Sequence, residues 1–218
     1  PSRTRQGVAT GPLARAARDY LDIFVANAVR TPAPARAPVP DDPHRRMVDV
    51  KGYGYFMNAS QVGICHMPAS AWYTDATPIA AHTHAVVLLL QHGRVPELDN
   101  PARAWIAPAV TDTADTRIGG IAVCLAGHIN QLGWSAEPHV IEAGAVDVER
   151  LAVLAGLALR SPETSDLTNP YVKEFSLAVI TTDYALAIDA PLAPSASDAK
   201  GASYWFGING ATSGRERN

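Results

Sequence analysis

Two segments stand out along the chain: the uninterrupted apolar run Ala85-Val86-Val87-Leu88-Leu89-Leu90, and the largely apolar FSLAVITT over 175–182, which ends in polar residues. Runs of strand length without polar alternation predict central strands covered on both faces. Gln61-Val62-Gly63-Ile64-Cys65 predicts a shorter buried strand, and 135–142 another. Helical spacing governs much of the rest. Leu13, Ala16, Ala17, Tyr20, Leu21, Phe24, Val25 and Ala28 recur as one apolar stripe, which predicts a helix over 13–29. Residues 48–58 predict a second helix, weakened by Gly52 and Gly54. Thr113 or Asp115 can cap a third, with Ile118, Ile121, Ala122, Leu125, Ile129 and Leu132 on its apolar face and Gly133 as its stop. A small-residue-rich helix is predicted over 148–160.

Prolines punctuate the connections. The stretch TPAPARAPVPDDP over 31–43 lacks backbone donors and favours extended geometry, so it reads as a linker or surface strap. A second such connection runs over 96–108 and carries Trp105. The chain thus divides into three parts: an N-terminal helix with a Pro-rich linker over 1–46, a core over 47–194, and a polar tail over 195–218 whose aromatic cluster is Tyr204-Trp205-Phe206.

Composition adds limits. The 218 residues are 47% apolar with a net charge of -3, which predicts a folded, soluble chain. Without a basic stripe, nucleic acid is not an expected partner. No run of 18 apolar residues occurs, so no transmembrane segment is expected. Pro1-Ser2-Arg3 leads into polar sequence, and the expected location is cytoplasmic; a removed targeting peptide would leave no trace. The two cysteines, Cys65 and Cys124, read as buried thiols, and a four-cysteine iron–sulfur cluster cannot be built from this chain alone.

Several residues carry candidate chemistry. If the second strand begins at His82, alternation puts His82 and His84 on one side, and with His66 or His92 they could hold a divalent metal. The plainer reading is two polar residues at the entrance of a strand. Cys124 and His128 are one helical turn apart, which fits core-edge packing better than a catalytic pair. Trp72 and Tyr73 read as a semi-buried aromatic anchor. His92 and Arg94, after the longest apolar run, could supply a proton or bind an anion.

The order and wording of several phrases resemble a known family. VKGYGYFMNASQVGIC, IAVCLAGHINQLGWSAEPHV, VERLAVLAGLALR and FSLAVITTDYALAIDAP are similar to successive segments of the corrinoid domain of reductive dehalogenases and their epoxyqueuosine-reductase relatives. That resemblance, over roughly 48–191, implies an α+β, nitroreductase-like fold with a mostly antiparallel central sheet flanked by helices. It implies cobalamin as the cofactor and places Gly156, Arg160 and Tyr171 as cofactor-binding residues. Where the family carries an acidic-Met-x-Tyr phrase with a proton-donating tyrosine, this chain reads Gln91-His92-Gly93-Arg94-Val95, so His92 and Arg94 are the catalytic candidates. Ala158 replaces a glycine, SPETSDLTNPYVKEF replaces a glycine-containing turn, and the family's cysteine-bearing ferredoxin module does not follow. Two functions are expected from this pattern. One is a pseudodomain that has lost the usual catalytic residues and serves as scaffold or partner of a redox enzyme. The other is a cobalamin-binding oxidoreductase component that receives electrons from a separate iron–sulfur protein. A histidine metal site is the third reading.

Overall fold

The computed structural model of the chain describes residues 11–28, 31–140, 143–161 and 163–193. In chain order the main elements are helices α1 (Pro12–Ala26) and α2 (Pro43–Phe56) and strands β1 (Gln61–His66) and β2 (His84–Gln91). Next come the short helix α3 (Arg103–Ile106), the long helix α4 (Val110–Gln131), strand β3 (Ala136–Val140) and helix α5 (Val148–Leu154). The two-residue strands β4 (Leu159–Arg160) and β5 (Leu167–Thr168) precede β6 (Phe175–Thr182). Four strands form one antiparallel sheet in the order β1-β2-β6-β3. The two apolar runs are its middle pair, in register from His84↔Thr182 to Gln91↔Phe175.

Alternation along those runs builds two cores. Val86, Leu88, Ala178 and Ile180 meet Ile118, Leu125 and Ile129 of α4 on one face. Val87, Leu89, Leu177 and Val179 meet Leu151 and Ala152 of α5, with Trp72, on the other. Because both faces are covered, every side chain of β2 from His84 to Leu90 is buried. The α+β fold with an antiparallel sheet flanked by helices is the one implied by the family resemblance.

Helix α1 lies against α4, and its buried face is narrower than the stripe predicts. Ala14, Ala17 and Leu21 are buried, whereas Leu13 is 42% exposed and Tyr20 62%. Small residues decide the rotation. Leu21 sits where a Cβ on Gly119 would be, 2.6 Å from its Cδ1, so the helices approach too closely for the larger residues to point inward. Arg18 adds a fork onto Asp112, with Nη2 2.7 Å and Nε 3.1 Å from Oδ1. Charge-assisted pairing of this kind, with the aspartate largely buried, fixes the angle of α1 on α4.

Other boundaries also move. Helix α2 starts at Pro43, capped by the Asp42 carboxylate on the His44 amide, and so takes in the end of the stretch read as linker. The rest of that stretch is a strap: the Ala33 and Ala37 amides donate to the Asn130 and Leu132 carbonyls at the end of α4. Gly133, at φ +89°, stops α4, and a Cβ there would meet the Ala35 carbonyl oxygen at 2.7 Å. Helix α4 begins at Val110, so Thr113 and Asp115 lie inside it rather than capping it; the Thr113 hydroxyl donates back to the Ala109 carbonyl. Cys65 is buried but Cys124 is exposed, because the face of α4 carrying Cys124 and His128 points away from the sheet, where His128 stacks on Tyr53 at 5.1 Å. The helix predicted over 148–160 ends at Leu154 in a Schellman turn. The Leu157 amide donates to the Ala152 carbonyl and the Gly156 amide to that of Val153, with Gly156 left-handed at φ +70°. The tail over 195–218, with Tyr204-Trp205-Phe206, lies outside the described residues.

The packing of α1 gives a direct check. Leu21→Ala should lower unfolding stability in urea by about 2–4 kcal/mol, whereas Tyr20→Ala should change it by less than about 0.5 kcal/mol. Equal losses for the two would mean that the stripe, not the small-residue contact, sets the buried face.

Candidate functional site

Beyond β6 the chain turns back along the free edge of β1. Asp189 anchors it there. One carboxylate oxygen takes Lys51 Nζ at 2.6 Å, the other accepts the Ile64 amide at 2.8 Å, and the Asp189 amide donates to the Ile64 carbonyl at 2.8 Å. An edge strand with unpaired backbone groups is thereby covered by the chain itself. One residue further on, the Ala190 carbonyl lies against Gly156, and an added Cβ would overlap its oxygen. The glycine read as a point of close approach for a cofactor is a point of close approach for this chain's own backbone.

The other residues assigned to the cofactor have partners of their own. Arg160 binds the Glu149 carboxylate at 3.0 Å and the Ser165 carbonyl at 2.9 Å. Tyr171 is 81% exposed, and its amide donates to the Asn169 side chain at 2.8 Å.

His92 and Arg94 follow the end of β2 and part company at once. The His92 ring is held at Nε2 by the buried Ser176 hydroxyl at 3.1 Å, with Nδ1 3.8 Å from the Glu174 carboxylate. It lines an open cleft of about 390 Å³ together with Thr111, Glu149, Lys173 and Phe175. Arg94 is not part of that cleft; it pairs at 2.9 Å with Glu97, both side chains being exposed.

The structure separates His82 from His84. Strand β2 begins at His84, so alternation does not extend back to His82. His84 shares the face of Val86 and lies opposite His66, with ring centroids 5.1 Å apart, while its Nδ1 contacts the Thr83 hydroxyl at 2.9 Å. His82 instead reaches the opposite face, where Nδ1 meets the Thr181 hydroxyl and Nε2 the Ser135 hydroxyl, each at 2.8 Å. Among the described residues, no three His, Cys, Asp or Glu side chains group as metal ligands. Burial lowers the pKa of both histidines; for His84 the neighbouring His66 adds to the effect, and for His82 Asp183 opposes it. Burial likewise pushes the Cys65 thiol up to about 12, with Asp189 adding to it, so this cysteine is a packing residue and not a nucleophile.

One residue of this region is not singled out by the sequence pattern. His139, in the middle of β3, is 1% exposed, and its Nε2 contacts the same Thr181 hydroxyl at 2.8 Å. The signal for it is the pair of threonines at the inner end of an otherwise apolar strand, which need polar partners when buried.

The fold is that of the nitroreductase-like domain of reductive dehalogenases, shared more distantly by epoxyqueuosine reductases. The structure of the catabolic reductive dehalogenase NpRdhA is 36% identical at a TM-score of 0.78, over 89% of this chain and 28% of that one. A further reductive dehalogenase structure, described in terms of B12-dependent dehalogenation, is 35% identical at a TM-score of 0.76, over 88% of this chain and 29% of that one. An epoxyqueuosine reductase bound to a tRNA stem loop shares the fold alone, at 13% identity and a TM-score of 0.51, over 68% of this chain and 48% of that one. This chain thus spans less than a third of the length of the dehalogenases it resembles. No protein-family model and no curated protein matches it. Among the described residues no helix is long and apolar enough to cross a membrane.

The B12-dependent relative makes a corrinoid the cofactor that this fold implies. In this structure the Ala190 carbonyl lies beside Gly156, and Arg160 pairs with Glu149. Gly156→Ala should therefore cost about 1–3 kcal/mol of unfolding stability, from a left-handed alanine and a backbone overlap. A neutral effect on stability would mean that the glycine is kept for something other than internal packing.

Proposed function

We propose that this chain is a reductive-dehalogenase-type domain that holds no corrinoid of its own and serves as a scaffold for a redox enzyme. The observation that carries this reading is the Ala190 carbonyl in the space left by Gly156. Other features support it. The segment Gln91–Val95 has no tyrosine to donate a proton beside a metal, and two cysteines are too few for a four-cysteine cluster. The partner that such a scaffold serves is a catalytic subunit or domain bearing the corrinoid and the iron–sulfur clusters.

The second reading is a cobalamin-binding component that takes electrons from a separate iron–sulfur protein. Its support is the 36% identity to a dehalogenase over most of this chain. In that reading the segment 187–193 leaves the β1 edge when cofactor enters, and His92, with its hydroxyl and carboxylate neighbours, is the proton donor.

Reconstitution separates the two. After incubation with hydroxocobalamin and gel filtration, the protein should elute without a stoichiometric corrinoid spectrum. A 1:1 complex that survives the column would overturn the scaffold reading and establish the second.

A further inference from the structure

Behind the sheet a line of four side chains joins segments that are far apart in sequence. The Ala145 amide donates to His139 Nδ1 at 3.2 Å, so that nitrogen carries no proton. The proton of the neutral ring is then on Nε2, which donates to the Thr181 hydroxyl. The Thr181 hydroxyl also meets His82 Nδ1, and His82 Nε2 meets the Ser135 hydroxyl, each at 2.8 Å. At His139 the direction is set by a backbone amide that cannot turn round.

The same histidine supports an excursion of the chain. Residues 67–83, between β1 and β2, are held to the turn after β3 by two backbone bonds, Tyr73 amide to Ala145 carbonyl at 2.9 Å and Asp147 amide to Ala71 carbonyl at 2.8 Å. Trp72 closes the contact, with its ring edge-on to His139 at 5.8 Å. Neutral His139 is thus the link between the sheet and the 71–73/145–147 bridge.

We propose that His139 is the catch of an acid-sensitive latch: a proton on Nδ1 sets a donor against the Ala145 amide, breaks the line, and frees the 67–83 excursion and the 144–147 turn while the four-stranded sheet stays folded. The titratable groups on the surrounding elements are His82, Asp183 after β6, Glu137 on the same face of β3, Tyr73 and Asp75 on the excursion, and Asp147 and Arg150 at the start of α5. Burial first, and then the nearby His82, hold His139 down to about 3. Because the closed form binds its proton far more weakly than an open, solvated histidine near 6.5, closure is complete above about pH 6.5 and weakens as pH falls below it. Asp183 offsets part of the burial effect at His82.

Hydrogen exchange on the full chain, corrected for intrinsic rates, tests this at the Tyr73 and Asp147 amides. From pH 6.5 to 4.5 their opening should increase by about tenfold per pH unit, while the Val87 amide of β2 keeps its protection. In His139→Gln, whose side chain can still accept from Ala145 and donate to Thr181 but does not titrate, the opening at both amides should become independent of pH. Flat protection at Tyr73 and Asp147 in the unaltered chain, or loss in step with Val87, would overturn the latch, and neither outcome requires the variant to fold.

Discussion

The Asp189 carboxylate holds the return segment on the edge of the sheet, and much of the molecule is arranged by that one anchor. It joins α2 through Lys51, β1 through the Ile64 amide, and the chain beyond β6 in a single cluster of charge-assisted bonds. Such bonds are stronger than neutral ones and are lost together when the carboxylate is removed. The anchor also determines the path of the next residues. With Asp189 fixed, Ala190 is carried onto Gly156, and the left-handed end of α5 becomes a packing contact. The contact leaves no gap at that point, and a gap there would forfeit dispersion contacts on its walls.

The sheet supplies the frame for this. Its middle strands are apolar on both sides, so the two cores lie on opposite faces of the sheet, with β1 also contributing to each through Ile64 and Cys65. Ser176 is buried at one end, and most of the buried polar residues of the sheet gather at the other, where Thr181 and Thr182 end β6 and His82, His84 and His139 lie round them. On one face of that end the hydroxyls and imidazoles satisfy each other; on the other, the Thr182 hydroxyl donates to the Ser135 carbonyl. The Asp189 anchor at the β1 edge and the His139 line beside β3 therefore lie at different parts of the fold.

Much of the architecture was legible in the residues. Continuous apolar runs mark strands buried on both faces, and β6 begins and ends where its run does. The effect of close approach was not. Leu13 and Tyr20 fit the helical period of α1 as well as Leu21 does, and only the glycines of a partner helix decide which of them goes inward. The family phrase at Ala155-Gly156-Leu157 survives, but a glycine that admits a ligand and one that admits a carbonyl look alike in sequence. His82 and His84 are linked by spacing, yet the strand starts between them and turns their side chains to opposite faces. The signal for His139 is indirect, carried by the threonines of β6, because its partners Thr181 and Ala145 are brought to it only by pairing of β3 with β6 and by the turn after β3.

In the scaffold reading the return segment stays closed over Gly156 and the β1 edge with or without corrinoid, and that reading stands or falls on the closure. The Ile64 amide, bonded to the Asp189 carboxylate, reports it directly. Its hydrogen exchange should be slow and unchanged when a large excess of hydroxocobalamin is added. A cobalamin-dependent rise in exchange at Ile64 and Asp189, with β2 still protected, would show the segment giving way to a cofactor and would contradict the account.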